Sequence, residues 1–242
     1  MISDINCVIS AYGEDGIARS QSLASIMTAF CRKVVVVINE PTRSLESCQR
    51  VGLYYEVRRP NSGMNIGAWL AGLPHCDAGL PVICLQDECE LVSIDGPQYY
   101  CDLLSQPGVG MVGESINRKW AQDWGSMKDS PLNYVIRLPN DEGVTRVDFY
   151  LQCMKKWGIK AGHSAAHLRT LACGFPWGVA QRLPRLALSD NKEECIAAEI
   201  GLSQFVLNNL GLKVMQSADT PFLFFSHSEW QLSGLSKKYT TS

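Results

Sequence analysis

The segment VICLQDECEL, residues 82–91, carries an apolar, strand-like stretch straight into Asp87, Glu88 and Glu90. Acids at the carboxyl end of a central strand stand where open α/β sheets place their ligands. Such oxygen donors can hold a hard divalent cation, and a cation there can neutralise a diphosphate as it becomes a leaving group. Three acids in four residues are equally compatible with a solvated turn, and spacing alone leaves both readings open. A second acid stands out near the carboxyl end of the chain. Ile196, Ile200, Val206, Leu207 and Leu210 fall on one side of a helix, and Glu199 lies at the edge of that buried face. Glu193 and Glu194 belong to the first turn, where the helix dipole favours them, whereas an acid at position 199 is costly unless paired or used. General-base chemistry or a buried ion pair with an arginine would each explain it. His227 follows the apolar run FLFF, and a lone histidine after a strand is usually structural.

These residues need a sheet to position them. The first half alternates β-branched runs with amphipathic stretches, the pattern of a mostly parallel sheet covered by helices. Strands are expected at Asn6 to Ser10, Val34 to Asn39, Tyr54 to Arg58 and Val82 to Gln86. Leu23, Ile26, Met27 and Phe30 share one helical face between the first two strands, and Ile66, Trp69, Leu70 and Leu73 share another before the fourth. Residues 114–145 are polar and irregular, interrupted by Trp120, Trp124, Gly125, Pro131 and Pro139, and read as a binding excursion or a surface insertion. A helix resumes from Val147 to Trp157 and ends at Gly158. The last long helix spans about Asn191 to Leu210, with Asp190 and Glu193 as a capping box and Gly211 as its stop. Short strands near Lys213 to Gln216 and Phe222 to Phe225 complete the core.

The chain has 242 residues, a formal net charge of -2 and scattered basic residues, so the basic stripe that holds a phosphate backbone is missing and nucleic acid is not an expected partner. The first residues lack the basic start and apolar stretch of a secretion signal, and no apolar run is long enough to span a bilayer, which points to the cytoplasm. Ten cysteines from Cys7 to Cys195 include no C-x-x-C pair and read as reduced, mostly buried thiols rather than a zinc site.

The acidic strand end resembles the DxD-type motif of family 2 glycosyltransferases, with Gln86 at the first acidic position, Glu88 at the second and Asp87 between them. INCVISAYGE, residues 5–14, is similar to that family's first strand, which places Ala11, Tyr12 and Glu14 near the nucleotide. VVVVINE resembles its second strand and places Asn39 there. RPNSGMNIGAW resembles its glycine-containing donor segment, implying donor contacts from Asn61, Gly63 and Asn65 beside Gly67; a plain helix-entry turn would also explain those glycines. The same resemblance makes Gln86 and Asp87 donor-binding, makes Asp87, Glu88 and His227 ligands of Mn2+ or Mg2+, and makes Glu199, twelve positions before Gly211, the general base. LACGFPWG resembles a GGF-like turn, from which Trp177 would stack on an acceptor sugar, although an aromatic ring is more often simply a core residue. The implied fold is GT-A, α/β and Rossmann-like, in a single domain with a nucleotide-sugar half over residues 1–113 and an acceptor and catalytic half over residues 114–242.

What the resemblance implies is an inverting, metal-dependent transfer of a sugar from a nucleotide-diphosphate donor to a glycan or lipid-linked acceptor, in surface polysaccharide synthesis. Trp120, Trp157, Lys155 and Lys156 would be the contacts of any peripheral membrane association; ordinary surface and core roles are the alternative. Two other readings stand beside it. A sugar-1-phosphate nucleotidyltransferase would need a basic, glycine-rich loop after the first strand, whereas AYGEDGIARS is acidic first. A non-catalytic domain that binds carbohydrate or a partner enzyme would explain the altered acidic motif. Oligomeric state is not legible.

Overall fold

The β-branched runs do form strands, and most extend beyond their apolar centres. The computed structural model describes residues 2–137, 143–184, 186, 188–189 and 191–232. In chain order the elements are β1 (Ser3–Tyr12), α1 (Gly13–Met27), β2 (Cys31–Glu40), β3 (Ser47–Val51), β4 (Tyr54–Pro60), α2 (Met64–Gly72), β5 (Val82–Gln86), β6 (Cys89–Leu91), α3 (Gly96–Leu104) and β7 (Val109–Gly113). There follow α4 (Trp124–Lys128), β8 (Val135–Arg137), β9 (Gly143–Thr145), α5 (Arg146–Lys156), β10 (Ala172–Phe175), α6 (Trp177–Ala180), α7 (Lys192–Gln204), β11 (Lys213–Gln216), β12 (Phe225–His227) and α8 (Ser228–Leu232).

Eight strands make one sheet in the order β11-β7-β10-β5-β1-β2-β4-β3. β10 is antiparallel to both neighbours and β3 is antiparallel to β4; the other pairings are parallel. Strand alternation sorts the core into two layers. Ile5, Cys7, Ile9 and Ala11 face the layer of α1 and α3, while Val8, Val35, Val37 and Val57 face that of α2 and α7. A third apolar cluster joins α4, α5 and α7 around Trp120, Met127 and Tyr150. The sheet is therefore mixed and mostly parallel with helices on both faces, as the alternating pattern implies.

Parallel pairing puts the carboxyl ends of six strands on one edge. Ser10 is level with Gln86, Tyr12 with Asn39, Glu40 with Pro60, and Gln216 with Gly113. β10 starts at this edge and runs away from it, with Ala172 level with Leu85 and Phe175 level with Val82.

Several expectations are corrected. β3 is polar and nearly all exposed, so its edge position left no apolar period to read. β12 does not join the main sheet; it pairs with β6. The cap of α7 is Asn191, whose side chain accepts from the N–H groups of Glu193 and Glu194, and Asp190 lies outside the described residues, as does Pro139. Ile26 is exposed although Leu23 and Met27 are buried. Trp120 is buried beneath Arg146, and Trp157 packs partly against the core, so of the proposed membrane contacts only Lys155 and Lys156 are at the surface. No helix among the described residues is long and apolar enough to cross a membrane. All ten cysteines are free, and burial pushes the Cys76 thiol up to about 12.

The turn before α2 is set by Gly67, where an added Cβ would lie 1.9 Å from the Ser62 carbonyl oxygen. Gly67→Ala is expected to cost about 2–3 kcal/mol through forced displacement of that turn, a fall in Tm of about 4–12 °C. An unchanged melting curve by circular dichroism would show that the turn yields freely.

Candidate functional site

The carboxyl edge begins, on the β4 side, with a strained turn. Gly63 and Met64 both have positive φ, 74° and 46°, the second in a region that non-glycine residues occupy at a cost. Gly63 also lies so close to Leu188 that a Cβ would meet that side chain at 2.6 Å. The turn is tied to the strand ends by side chains. Asn39 is buried and donates to the Met64 carbonyl at 3.1 Å, while Arg59 donates to Asn39 Oδ1 at 2.9 Å. Ser10 Oγ donates to Asn65 Oδ1 at 2.9 Å. The buried Oδ1 of Asn61 has no hydrogen-bond partner, an acceptor left over at this end. Tyr12 is 54% exposed and Glu14 is exposed in the first turn of α1, both open to a ligand above the edge. Ala11 is wholly buried, so its side chain faces the core rather than a ligand.

At the centre of the edge, the acids behave differently from a metal motif. Asp87 Oδ2 accepts from Arg19 Nη2 at 2.5 Å and from Nε at 3.0 Å, a forked contact from α1. Gly16, one turn earlier, makes room for it: a Cβ there would lie 3.0 Å from the same oxygen. Burial raises the Asp87 pKa more than Arg19 lowers it. Glu88 accepts from Ser228 Oγ and lies 3.8 Å from His227 Nε2. His227 is buried, its Nδ1 accepts from the Glu229 N–H at 3.0 Å, and its Nε2 faces Gln86 Oε1 at 3.2 Å. Burial holds its pKa below the ordinary value, and a neutral ring with Nδ1 as acceptor carries its hydrogen on Nε2, leaving no lone pair there for a cation. Among the described residues, no three His, Cys, Asp or Glu side chains converge as ligands. Asp87, Glu88 and His227 are thus neighbours, as the sequence implies, but their arrangement does not fit a divalent cation: the guanidinium of Arg19 holds that position.

Gln86 links this cluster to the next strand. Its Nε2 donates to the Thr170 carbonyl at 2.8 Å, just before β10. Thr170 in turn gives Glu199 Oε2 two hydrogen bonds, from N–H at 3.2 Å and from Oγ1 at 2.6 Å. Glu199 Oε1 lies 3.2 Å from His167 Nε2, while His167 Nδ1 donates to the Ala165 carbonyl at 2.8 Å. With Nδ1 committed as a donor, a hydrogen must lie between Nε2 and Oε1. Asn117 Nδ2 is 3.3 Å from the same Nε2 and its buried Oδ1 has no partner, so turning the amide over would set its oxygen against Nε2 as an acceptor. Burial pushes the Glu199 pKa up, but the bonds from His167 and Thr170 outweigh it and hold the carboxyl below its usual value. Glu199 remains 22% exposed and Oε1 keeps an unused lone pair.

Glu199 is therefore paired with a histidine rather than with an arginine. No motif marks His167 in the sequence, and the chain separation of 32 residues hides its contact with Glu199. Arg19 and Thr170 carried no motif. Trp177 is a correction: it follows Phe175, which is level with the first residue of β5, so it lies at the opposite edge of the sheet from Gln86. There it lines an apolar cleft with Leu70, Leu73 and Pro74 and packs against the core.

Comparison of the sequence with protein-family models and with curated proteins gives no match. Among solved structures, the chain is similar to the mannosyltransferase PcManGT from Pyrobaculum calidifontis, determined with GDP-Man and Mn2+, at 14% identity and a TM-score of 0.50 over 90% of this chain. It is also similar, at 13% identity and a TM-score of 0.49, to glucosyl-3-phosphoglycerate synthase from Mycobacterium tuberculosis, determined with Mn2+, UDP and phosphoglyceric acid. That match covers 96% of this chain and 74% of the synthase, whereas the chain spans 56% of the length of the mannosyltransferase. With the strand order above, the first likeness establishes a GT-A-type fold.

The Glu199 bonds have a pH signature. A carboxyl whose folded pKa is depressed adds stability above its unfolded value of about 4.3 and loses it as pH falls through the folded value. Glu199→Gln should therefore be less stable than the parent by about 1–3 kcal/mol at pH 6, with the gap closing towards pH 3.5. Urea unfolding at a series of pH values measures this, and a gap independent of pH would show that the carboxylate charge is not what Thr170 and His167 hold.

Proposed function

We propose that the chain transfers a glycosyl group from a nucleotide-diphosphate sugar to an acceptor hydroxyl. The observation that carries the reading is the continuous carboxyl edge of a GT-A-type sheet. Along it lie the strained Gly63–Met64 turn, the Arg19–Asp87 pair, Gln86 and Glu199, in that order from donor end to acceptor end. In this reading residues 1–113 hold the donor and residues 114–242 hold the acceptor. Tyr12 and Glu14 meet the nucleoside above β1, Asn39, Asn61, Gly63 and Asn65 shape its pocket, and Gln86 with Asp87 lies beneath the sugar diphosphate.

Glu199 accepts the proton of the acceptor hydroxyl on the free lone pair of Oε1. The hydroxyl oxygen bonds to the anomeric carbon as the bond to the diphosphate oxygen breaks, and the electron pair leaves with the nucleoside diphosphate, inverting the configuration. Mn2+ or Mg2+, which the family resemblance implies, would have to displace Arg19 from Asp87, so the cation assigned to the leaving group is Arg19 itself. The choice of a glycan or lipid-linked acceptor, a cytoplasmic setting and a role in surface polysaccharide synthesis rest on the family resemblance alone.

A thermal-shift screen of UDP, GDP, CMP and dTDP and their sugars, each with Mn2+ or with EDTA, tests the donor half, because selective binding to the native state raises Tm. Stabilisation by one nucleoside diphosphate that survives EDTA is expected. Glu199→Gln should then lower kcat by about 10²–10⁴-fold with little change in donor affinity. Silence towards every nucleotide would replace the transferase with a non-catalytic binding domain, and full turnover in the Gln variant would remove Glu199 as the base.

A further inference from the structure

Beyond Glu199 the same edge holds a second cavity that none of these assignments uses. It has a volume of about 150 Å³ and lies between the segment after β7, the residues just before β10, the end of β11 and helix α8. Three cations line it, Arg118, Lys119 and Arg169. Among the described residues none of the three forms an ion pair or a side-chain hydrogen bond. The chain as a whole has a net charge of -2, so three unpaired positive groups around one small cavity are a local concentration of charge that its composition does not require. Arg118 and Asp219 both line an adjoining surface cleft and do not pair with each other. Trp230, tilted by 35° against Phe222 at 4.6 Å between centroids, adds an aromatic wall.

The cavity is built into the frame of the candidate site. Arg169 N–H donates to the Ser115 carbonyl at 2.8 Å, Asn117 N–H to the His167 carbonyl at 2.9 Å, and Ile116 N–H to Gln216 Oε1 at 3.1 Å. These bonds fix the 115–119 segment against the residues that hold Glu199. Arg169 directly precedes Thr170, whose hydroxyl binds Glu199, and Asn117 both lines the cavity and touches His167. The donor end, at β1 and β2, is on the other side of β5. A charge bound here therefore belongs to the acceptor and not to the nucleotide.

We propose that this cavity binds an anionic group, a phosphate or a carboxylate, carried by the acceptor, so that the substrate is a small hydroxyl compound bearing negative charge near the hydroxyl that reacts. Arg118 and Arg169 supply planar forks that match an oxyanion, and Lys119 adds a point charge at the rim. The assignment to the acceptor rests on the transferase reading; the anion site itself does not.

Binding of inorganic phosphate and of glycerol 3-phosphate is measured by calorimetry, with glycerol and matched potassium chloride as controls, in the presence and absence of a saturating nucleoside diphosphate. Saturable binding of both phosphates but not of glycerol, persisting with nucleotide bound, is expected. Arg169→Gln and the exposed pair Arg118→Gln with Lys119→Gln should each weaken it by about tenfold or more; the surface pair keeps the test valid if Arg169→Gln misfolds. Sedimentation with vesicles of phosphatidic acid separates the sources: capture lost in the same variants would place the phosphate on a lipid-linked acceptor, and absence of capture would place it on a soluble one. Phosphate binding undiminished in both variants, abolished by nucleotide, or absent altogether overturns the proposal. Nucleotide binding without phosphate binding would sink the anion site alone, whereas phosphate binding without any nucleotide binding would sink the transferase reading and leave the anion site standing.

Discussion

Gln86 closes the central strand with an amide, and both ends of that amide are in use. Its N–H group reaches the Thr170 carbonyl on one side and its oxygen faces His227 on the other. A carboxylate at the same place could accept from His227 but would set a negative oxygen against a carbonyl oxygen, since it has nothing to donate. The amide therefore fixes the spacing between the acidic strand end and the segment before β10. Thr170, held through its carbonyl, turns its N–H and hydroxyl to Glu199. The position of the candidate base thus depends on a residue that departs from the acidic motif it resembles.

The same exchange of roles explains the Arg19–Asp87 pair. Gly16 lets α1 approach Asp87 closely enough for Arg19 to fork onto one oxygen, so a helix cation stands where a motif of carboxylates would otherwise gather a metal ion. Asp87 is mostly buried, with 12% of its side chain exposed, while Arg19 is 47% exposed. A pair with one partner in solvent is partly screened and is worth little to stability. For the same reason it can be exchanged in the proposed transfer, where a donor diphosphate would offer the guanidinium more oxygens than Asp87 does.

The sheet was legible because its strands are rich in β-branched residues and buried on both faces, so Val34 to Asn39 and Val82 to Gln86 announce themselves without any partner. The helical spacing that set Glu199 apart from Glu193 and Glu194 was likewise a local property. β3 is polar because it is an edge and carried no usable period, and the apolar run before β12 marked a strand but not its pairing with β6 outside the main sheet. What the sequence hid was contact at long range. Arg19 meets Asp87 across 68 residues, Gln86 meets Thr170 across 84, and His167 meets Glu199 across 32. Trp177 shows the converse: its local motif suggested a binding role, but β10 runs antiparallel and carries it to the far edge.

A carboxylate with a depressed pKa is a poor base towards an alcohol in its ground state, and Glu199 is held in that condition by Thr170 and His167. In the proposed transfer, the timing of the reaction resolves the mismatch. An alcohol oxygen bonding to an electron-poor carbon becomes strongly acidic only as that bond forms, so the proton need not move early. An acid that stays ionised, fixed in direction by three hydrogen bonds and with one lone pair open, would in that transfer accept a proton late and without reorganising. The bonds that weaken Glu199 as a base are therefore the ones that hold it in place and in the ionised form.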